Sequence, residues 1–259
     1  MHPVLFTVGG FAVPSYGVML ATGLFVGLLI GTLRAPRDGF PSEWAWDLGI
    51  LTMVCAIIGG RLEFVRTNFS RFLAAPSTIF ALRDGGMVFY GGFVLTVLGF
   101  LVYARRRSVP ALALLDMMAP SVGFGHAIGR IGCLLAGCCF GVPTSGWWSV
   151  TFPPGSLAPA GQPLVPTQIH EVLFNLILGT FLWFFPRRFV GQRFALLLLL
   201  YGAFRALNET VRGDSARGTV LGGLLTNAQF TSLILACVAA AIWALNARKA
   251  PAPPVGSPS

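Results

Sequence analysis

Charge is what this sequence has least of. Only 10% of its 259 residues are Asp, Glu, Lys or Arg, against about 25% in an ordinary soluble domain. Acids are the scarcest, at nine, and the net charge of +9 rests almost wholly on arginine. With 55% hydrophobic residues and a mean hydropathy of +0.75, this excludes a soluble globular chain. One polytopic membrane domain over 1–249 is the simplest organisation. Cysteines are few as well. Five, unevenly spaced, exclude a disulfide framework. The opening lacks a basic n-region and carries Pro3 and Pro14 before the first long apolar run, so no cleavable signal peptide is expected. No internal repeat is visible. The final "APAPPVGSPS", 250–259, reads as a proline-rich disordered tail.

What is there instead is long apolar runs. A bilayer core of about 30 Å needs roughly 20 apolar residues per helix. Seven segments meet that need: 14–33, 45–65, 87–104, 110–136, 169–185, 194–212 and 227–247. The expected fold is therefore an all-α membrane protein, a bundle of seven transmembrane helices. The fourth is rich in glycine and is expected to kink, or to break near Gly129–Gly132. With the N-terminus outside, the inward loops hold Arg34, Arg37, Arg105, Arg106, Arg107, Arg187, Arg188, Arg193, Arg248 and Lys249. The outward loops hold Arg66, Arg71, Arg83, Arg212 and Arg217. That two-to-one excess gives an outside N-terminus and a cytoplasmic C-terminus. It also accounts for the basic balance without nucleic acid, which is not expected as a partner.

Charges inside spans carry the functional signal. Each costs about 2.5–3.5 kcal/mol even on insertion scales, so it faces a protein interior or a wet cavity. Arg130 lies among small residues in "GHAIGRIG", where a backbone or a lipid headgroup can come close. Its planar fork suits a phosphate, or else it snorkels or pairs with Asp116. Arg205 and Glu209 lie four apart on one helical face, either as a plain neutralising pair or as a guanidinium held ready for an anion. Arg61 follows Gly59 and Gly60, with Glu63 beyond. "DGGMVFYGG", 84–92, sets Gly91 and Gly92 around an aromatic block, fitting either a ligand-approaching loop or tight helix packing. Tyr90 there is a hydrogen-bond donor but a poor base.

His126 is four residues before Arg130, so a regular helix turns both to one cavity, with His126 as proton acceptor or as a satisfied core residue. His170 and Glu171 form a second candidate pair, behind a helix-start signal at Pro166 and Thr167. Cys133, Cys138 and Cys139 have the spacing C-x4-C-C, which is not a usual zinc pattern. They read as small apolar packing, with metal binding and redox chemistry as lesser alternatives. No metal or cofactor is expected.

Six segments taken in order resemble the prolipoprotein diacylglyceryl transferase family: "SYGVML" at 15–20, "GGR" at 59–61, "DGGMVFYGG" at 84–92, "GRIGCLLAGCCFG" at 129–141, "PTQIHE" at 166–171 and "YGAFRALNETVR" at 201–212. They extend over nearly the whole chain. The resemblance implies a seven-helix enzyme of the bacterial cytoplasmic (inner) membrane. Such an enzyme moves a diacylglyceryl group from phosphatidylglycerol to the lipobox cysteine of a prelipoprotein and releases glycerol 1-phosphate. It implies that Arg130 contacts the lipid phosphate and that Arg205, with Glu209 beside it, is a second essential arginine. Tyr16 is implied as a functional tyrosine, and Gly141 as the last glycine of the signature. Gln168, Gly91, Gly92 and Arg61 fall in matching segments and join the expected substrate-binding set. Partners are then the lipid, the peptide and the surrounding membrane, with the chain acting as a monomer.

This sequence departs from the family pattern at three places. Tyr90 stands where a histidine is usual, Cys133 where an asparagine is usual, and Ala136 and Cys138 flank the retained Gly137 in place of asparagine and glutamate. The proton acceptor is then either His126 or no dedicated base at all. The expected mechanism has Arg130 and Arg205 holding one phosphate between them; separate carboxylates consuming each guanidinium would count against it. Rival readings are a non-catalytic or transporter-like binder of lipid or anion, and a membrane thiol-redox protein using the three cysteines.

Overall fold

A computed structural model describes residues 2–69, 72, 89–214 and 218–248; the side chains of Val8, Phe11, Phe89, Tyr90 and Leu221 are outside it. Among the described residues the chain is mostly helical. Its helices are α1 (Ser15–Arg34), α2 (Glu43–Thr67), α3 (Phe89–Arg106), α4 (Ala111–Ala136), α5 (Thr167–Phe184), α6 (Gln192–Glu209) and α7 (Asn227–Asn246). Each falls on one of the seven apolar segments. Four are long and apolar enough to cross a membrane: α1 continued to Asp38, α2, α4 and α7. Positions 84–88 and the tail 250–259 lie outside the described residues.

Two expectations are corrected. Helix α4 does not break near Gly129–Gly132 but runs on to Ala136 and stops at Gly137, whose φ of 75° the next turn requires. Gly123, Gly125 and Gly132 serve helix contact rather than bending. The chain is also not purely helical, because short ribbons close three loops. They are β1 (Val4–Val8) with β2 (Phe11–Pro14), β3 (Val150–Thr151) with β4 (Pro163–Leu164), and β5 (Thr219–Val220) with β6 (Leu225–Thr226), all antiparallel.

Helix α4 is the centre of the bundle. It packs on α1 and α5 and more lightly on α6 and α3, while α2 pairs with α3 and α6 with α7. The α1–α4 contact is backbone against backbone. A Cβ on Gly23 would lie 2.5 Å from the Gly125 carbonyl, one on Gly27 3.2 Å from that of Ser121, and one on Gly132 3.2 Å from Tyr16 Cα. The four-residue step runs in opposite senses on the two helices, so they are antiparallel. Small residues at this spacing let helices approach in an environment where apolar burial gives no drive. Gly59 and Gly91 join α2 to α3 in the same way: a Cβ on Gly91 would lie 2.2 Å from the Gly59 carbonyl.

The outer faces of α1, α2, α3 and α7 expose Leu20, Phe25, Ile58, Leu62, Phe93 and Leu233, which suits hydrocarbon and would not suit water. On the same helices Thr22, Thr32, Thr52 and Thr231 return their hydroxyls to carbonyls four residues back, which satisfies these groups without water.

One end of the bundle is tied by ion pairs. Asp38 accepts from Arg34 Nε at 3.0 Å and from Arg193 Nη1 at 2.8 and 2.9 Å, and Arg107 meets Asp47 at 3.1 Å. Asp116 of α4 accepts from the backbone N–H groups of Gly191 and Phe194, at 2.6 and 2.9 Å, and so caps α6. Asp116 is therefore a cap and not a partner of Arg130. The opposite end, where α4 and α6 finish and α1 and α5 begin, holds the polar cluster.

Candidate active site

Helical spacing on α4 brings His126, Arg130 and Cys133 to one face, and Arg130 Nε donates to His126 Nε2 at 3.0 Å. The first turns of α5 face them. Thr167, Gln168, Glu171 and Asn175 there are all buried to within 1% exposure. The last two turns of α6 supply Arg205, Asn208 and Glu209, and Arg212 follows just beyond them.

Glu171 is the hub. Its Oε2 is in direct ionic contact with Arg130 Nε and 3.8 Å from His126 Nε2. Its Oε1 accepts from Asn208 Nδ2 at 3.3 Å and from Arg212 Nη1 at 3.5 Å. Arg212 in turn lies 3.9 Å from Glu209 Oε2, and Glu209 lies 2.6 Å from Arg205 Nη1. Charges alternate along the whole row: Arg130, Glu171, Arg212, Glu209, Arg205. Asp214 closes on Arg212 with two hydrogen bonds of 2.8 and 2.7 Å. Three guanidiniums thus meet three carboxylates, which is how so much charge is held in an apolar bundle.

This geometry modifies the expectation of two arginines sharing one anion. Each has its own carboxylate, Glu171 or Glu209, and the link between them runs through Arg212. Arg205 is not saturated by its partner. Its Nη1 contact to Glu209 is out of line for a hydrogen bond, and its Nη2 is buried without one. His126 has its Nε2 lone pair engaged by Arg130, whereas Glu171 Oε2 accepts no aligned hydrogen bond.

The loop after α4 folds back over this cluster. Gln168 Nε2 donates to the Cys138 carbonyl at 2.7 Å, and the Thr167 hydroxyl to that of Cys139. Gly141 N–H bonds to the Val165 carbonyl, Val142 N–H to that of Val211, and Gly213 N–H to that of Phe140. Three backbone segments cross at Gly141, where a Cβ would lie 2.7 Å from the carbonyls of both Val165 and Val211. Gly141 thereby fixes the segment that carries Arg212.

The three cysteine sulfurs lie within 4.8 Å of one another. Arg130 Nη1 is 3.8 Å from Cys133 Sγ and 3.6 Å from Cys139 Sγ. The Cys139 thiol is held below the ordinary thiol range by hydrogen bonds from Cys133 and Cys138, against burial, with the Arg212 guanidinium adding to the effect.

Of the other residues singled out from sequence, Tyr16 lies over this group, in electrostatic range of Arg130 and the three cysteines. Arg61 is elsewhere, buried on α2 with its guanidinium over the rings of Phe64 and Phe72 at 5.5 and 5.6 Å. Gly91 and Gly92 serve the α2–α3 contact. Tyr90 is in the first turn of α3, and its side chain is outside the described residues. Sequence reasoning missed Arg212 and Asn208 and gave Glu171 only a lesser place. Asn208 and Arg212 sit three and seven residues past Arg205, the helical spacing that could have revealed them.

A model of the prolipoprotein diacylglyceryl transferase family matches residues 3–245. The chain is 33% identical over 251 residues to phosphatidylglycerol–prolipoprotein diacylglyceryl transferase 2 of Clostridium perfringens, covering 96% of this chain and 97% of that one. It is 32% identical over 235 residues to the transferase of the same name, without the numeral, from Clostridium tetani, with 90% and 93% covered. To that of Vibrio cholerae it is 34% identical over 239 residues, with 90% and 87% covered.

Proposed function

The chain belongs to the prolipoprotein diacylglyceryl transferase family, and from that premise we propose that it carries out the first step of lipoprotein maturation. It transfers the diacylglyceryl group of phosphatidylglycerol to the lipobox cysteine thiol of a prelipoprotein and releases glycerol 1-phosphate. All seven helices span the cytoplasmic membrane, with the N-terminus outside and the C-terminus inside. The basic end of the bundle, with Arg34, Arg107 and Arg193, then lies at the cytoplasm. The polar cluster lies at the outer face, and the chain works as a monomer.

The buried, unbonded Nη2 of Arg205 supports this reading most directly. An unsatisfied buried donor costs about 1–3 kcal/mol. A lipid phosphate arriving there removes that cost. Arg205 then holds the phosphate, and Arg130 and Arg212 stabilise the charge that builds on it as the glycerol C–O bond breaks. The lipobox sulfur attacks that carbon as thiolate and forms the thioether. Its proton passes to Glu171 Oε2, the acceptor beside Arg130 with no aligned hydrogen bond; His126 orients Arg130. Tyr16 and Gln168 line the approach, with Gln168 and Gly141 positioning the loop. Arg61, Gly91, Gly92 and Tyr90 belong to the α2–α3 pair rather than to the polar cluster.

The test is transfer to a lipobox peptide in phosphatidylglycerol vesicles, alongside rescue of a cell depleted of its own transferase. Wild type should rescue and Arg130→Ala should not. Glu171→Gln should lose at least about 100-fold in rate while His126→Ala keeps most of it. Wild-type rates in Glu171→Gln would remove it as the acceptor, and thioether-free binding alone would favour a lipid-binding relative.

A further inference from the structure

The transferase chemistry uses none of the chain's own thiols, yet three of its five cysteines converge beside Arg130. We propose that Cys133, Cys138 and Cys139 form a three-sulfur binding site for a thiophilic metal ion, copper(I) by its coordination number. The site does not depend on the transferase reading.

Geometry is the first argument. The three sulfurs lie within 4.8 Å of one another. With metal–sulfur bonds of about 2.3 Å, three thiolates around one ion stand about 4 Å apart, so closing the site needs sulfur shifts of well under about 1 Å. The backbone is already turned for it. Gly137 at φ 75° ends α4, and Cys139 takes φ 64°, a left-handed conformation uncommon outside glycine. These two turns bring consecutive residues 138 and 139 to the same side as Cys133, which belongs to the last turns of α4. Cys138 is tied there by its N–H to the Cys133 carbonyl at 3.1 Å, and its own carbonyl is held by Gln168.

Ligand number is the second argument. Among the described residues no His, Cys, Asp or Glu atom joins these three as a fourth. Soft thiolates select copper(I), zinc and iron–sulfur centres, and zinc in closed sites takes four ligands. Three sulfurs alone fit copper(I).

Charge is the third. Three thiolates and one copper(I) carry two negative charges. Arg130 Nη1 already approaches two of the sulfurs, and Arg212 lies against Cys139. Outer N–H donors of this kind orient metal-bound thiolates and temper their charge. Binding releases the protons that the three thiols still carry and moves no electron. Because the ion takes up sulfur lone pairs that Arg130 addresses, occupancy also reports on the arginine.

The experiment uses the full chain in detergent micelles, reduced and oxygen-free, with copper(I) supplied against a chromophoric chelator. One equivalent should bind, with about three sulfur neighbours at roughly 2.3 Å by X-ray absorption. Cys133→Ser, Cys138→Ser and Cys139→Ser should each weaken binding at least about 100-fold, more than loss of an outer-shell group. The double variant Cys55→Ser/Cys237→Ser should bind as wild type. Thermal unfolding of each variant separates lost ligands from lost fold, and Cys138→Ser, the least buried of the cluster changes, keeps the comparison available if Cys133→Ser does not fold. Three results overturn the proposal: copper uptake unchanged by the cluster variants, zinc held more tightly than copper(I), or a disulfide among the three in protein alkylated at the moment of lysis.

Discussion

Arg205→Lys separates the lipid-binding reading from a purely structural one. Lysine keeps the positive charge four residues from Glu209, so the i,i+4 pair survives. What is lost is the fork, and with it the Nη2 donor that is buried without a hydrogen bond. Removing a donor that bonds to nothing should leave folding stability unchanged or raise it, by up to about 1–3 kcal/mol, the cost of an unsatisfied buried group. Removing a donor that grips the phosphate as charge develops should slow transfer by about 100–1,000-fold, or about 2.7–4 kcal/mol of barrier. The two effects have opposite signs, which no general disruption of the bundle reproduces. The assay is kcat/KM for peptide lipidation in phosphatidylglycerol vesicles, read with thermal unfolding in the same detergent. A lysine variant within threefold of wild type, or one that loses activity and stability together, refutes the assignment of Arg205 to the phosphate.

Gly23→Val should force α1 off α4, because its Cβ would lie 2.5 Å from the Gly125 carbonyl; a loss of about 1–3 kcal/mol is expected in detergent unfolding. Gly141→Ala places a methyl group 2.7 Å from two carbonyls and should move the Arg212 segment, cutting transfer by about 100-fold while the helices remain by circular dichroism. Asp38→Asn strands Arg34 and Arg193, both buried, and should cost about 3–5 kcal/mol in unfolding experiments, with the residual folded fraction fully active.

The helices were legible because long apolar runs have few alternatives, and all seven fall where such runs lie, four of them long and apolar enough to cross a membrane. Glycine was the ambiguous letter. In α4 it signalled a break, but Gly23, Gly125 and Gly132 are consumed by close packing that stiffens the helix pair instead. In "GGR" and "DGGMVFYGG" it left ligand approach and helix packing open, and Gly59 and Gly91 bind α2 to α3. Arg130, His126, Arg205 and Glu209 stood out because charge within an apolar run demands a partner. Arg212 did not, since a helix-end arginine looks like any loop arginine. The cysteine cluster was hidden for another reason: its third sulfur arrives through left-handed turns at Gly137 and Cys139, which spacing along the chain does not encode.

The Asp116 cap on α6 has a metric consequence. Fourteen residues separate Asp116 from Arg130 along α4, and fourteen separate Gly191 from Arg205 along α6. The two helices run side by side in the same sense from that shared anchor. At about 1.5 Å per residue both guanidiniums are carried about 21 Å from it. The carboxylate thus acts as a zero mark that sets both arginines at equal depth. Deleting one residue from either stretch would sink its arginine by about 1.5 Å and swing it about 100° round the helix, leaving composition and hydropathy almost untouched.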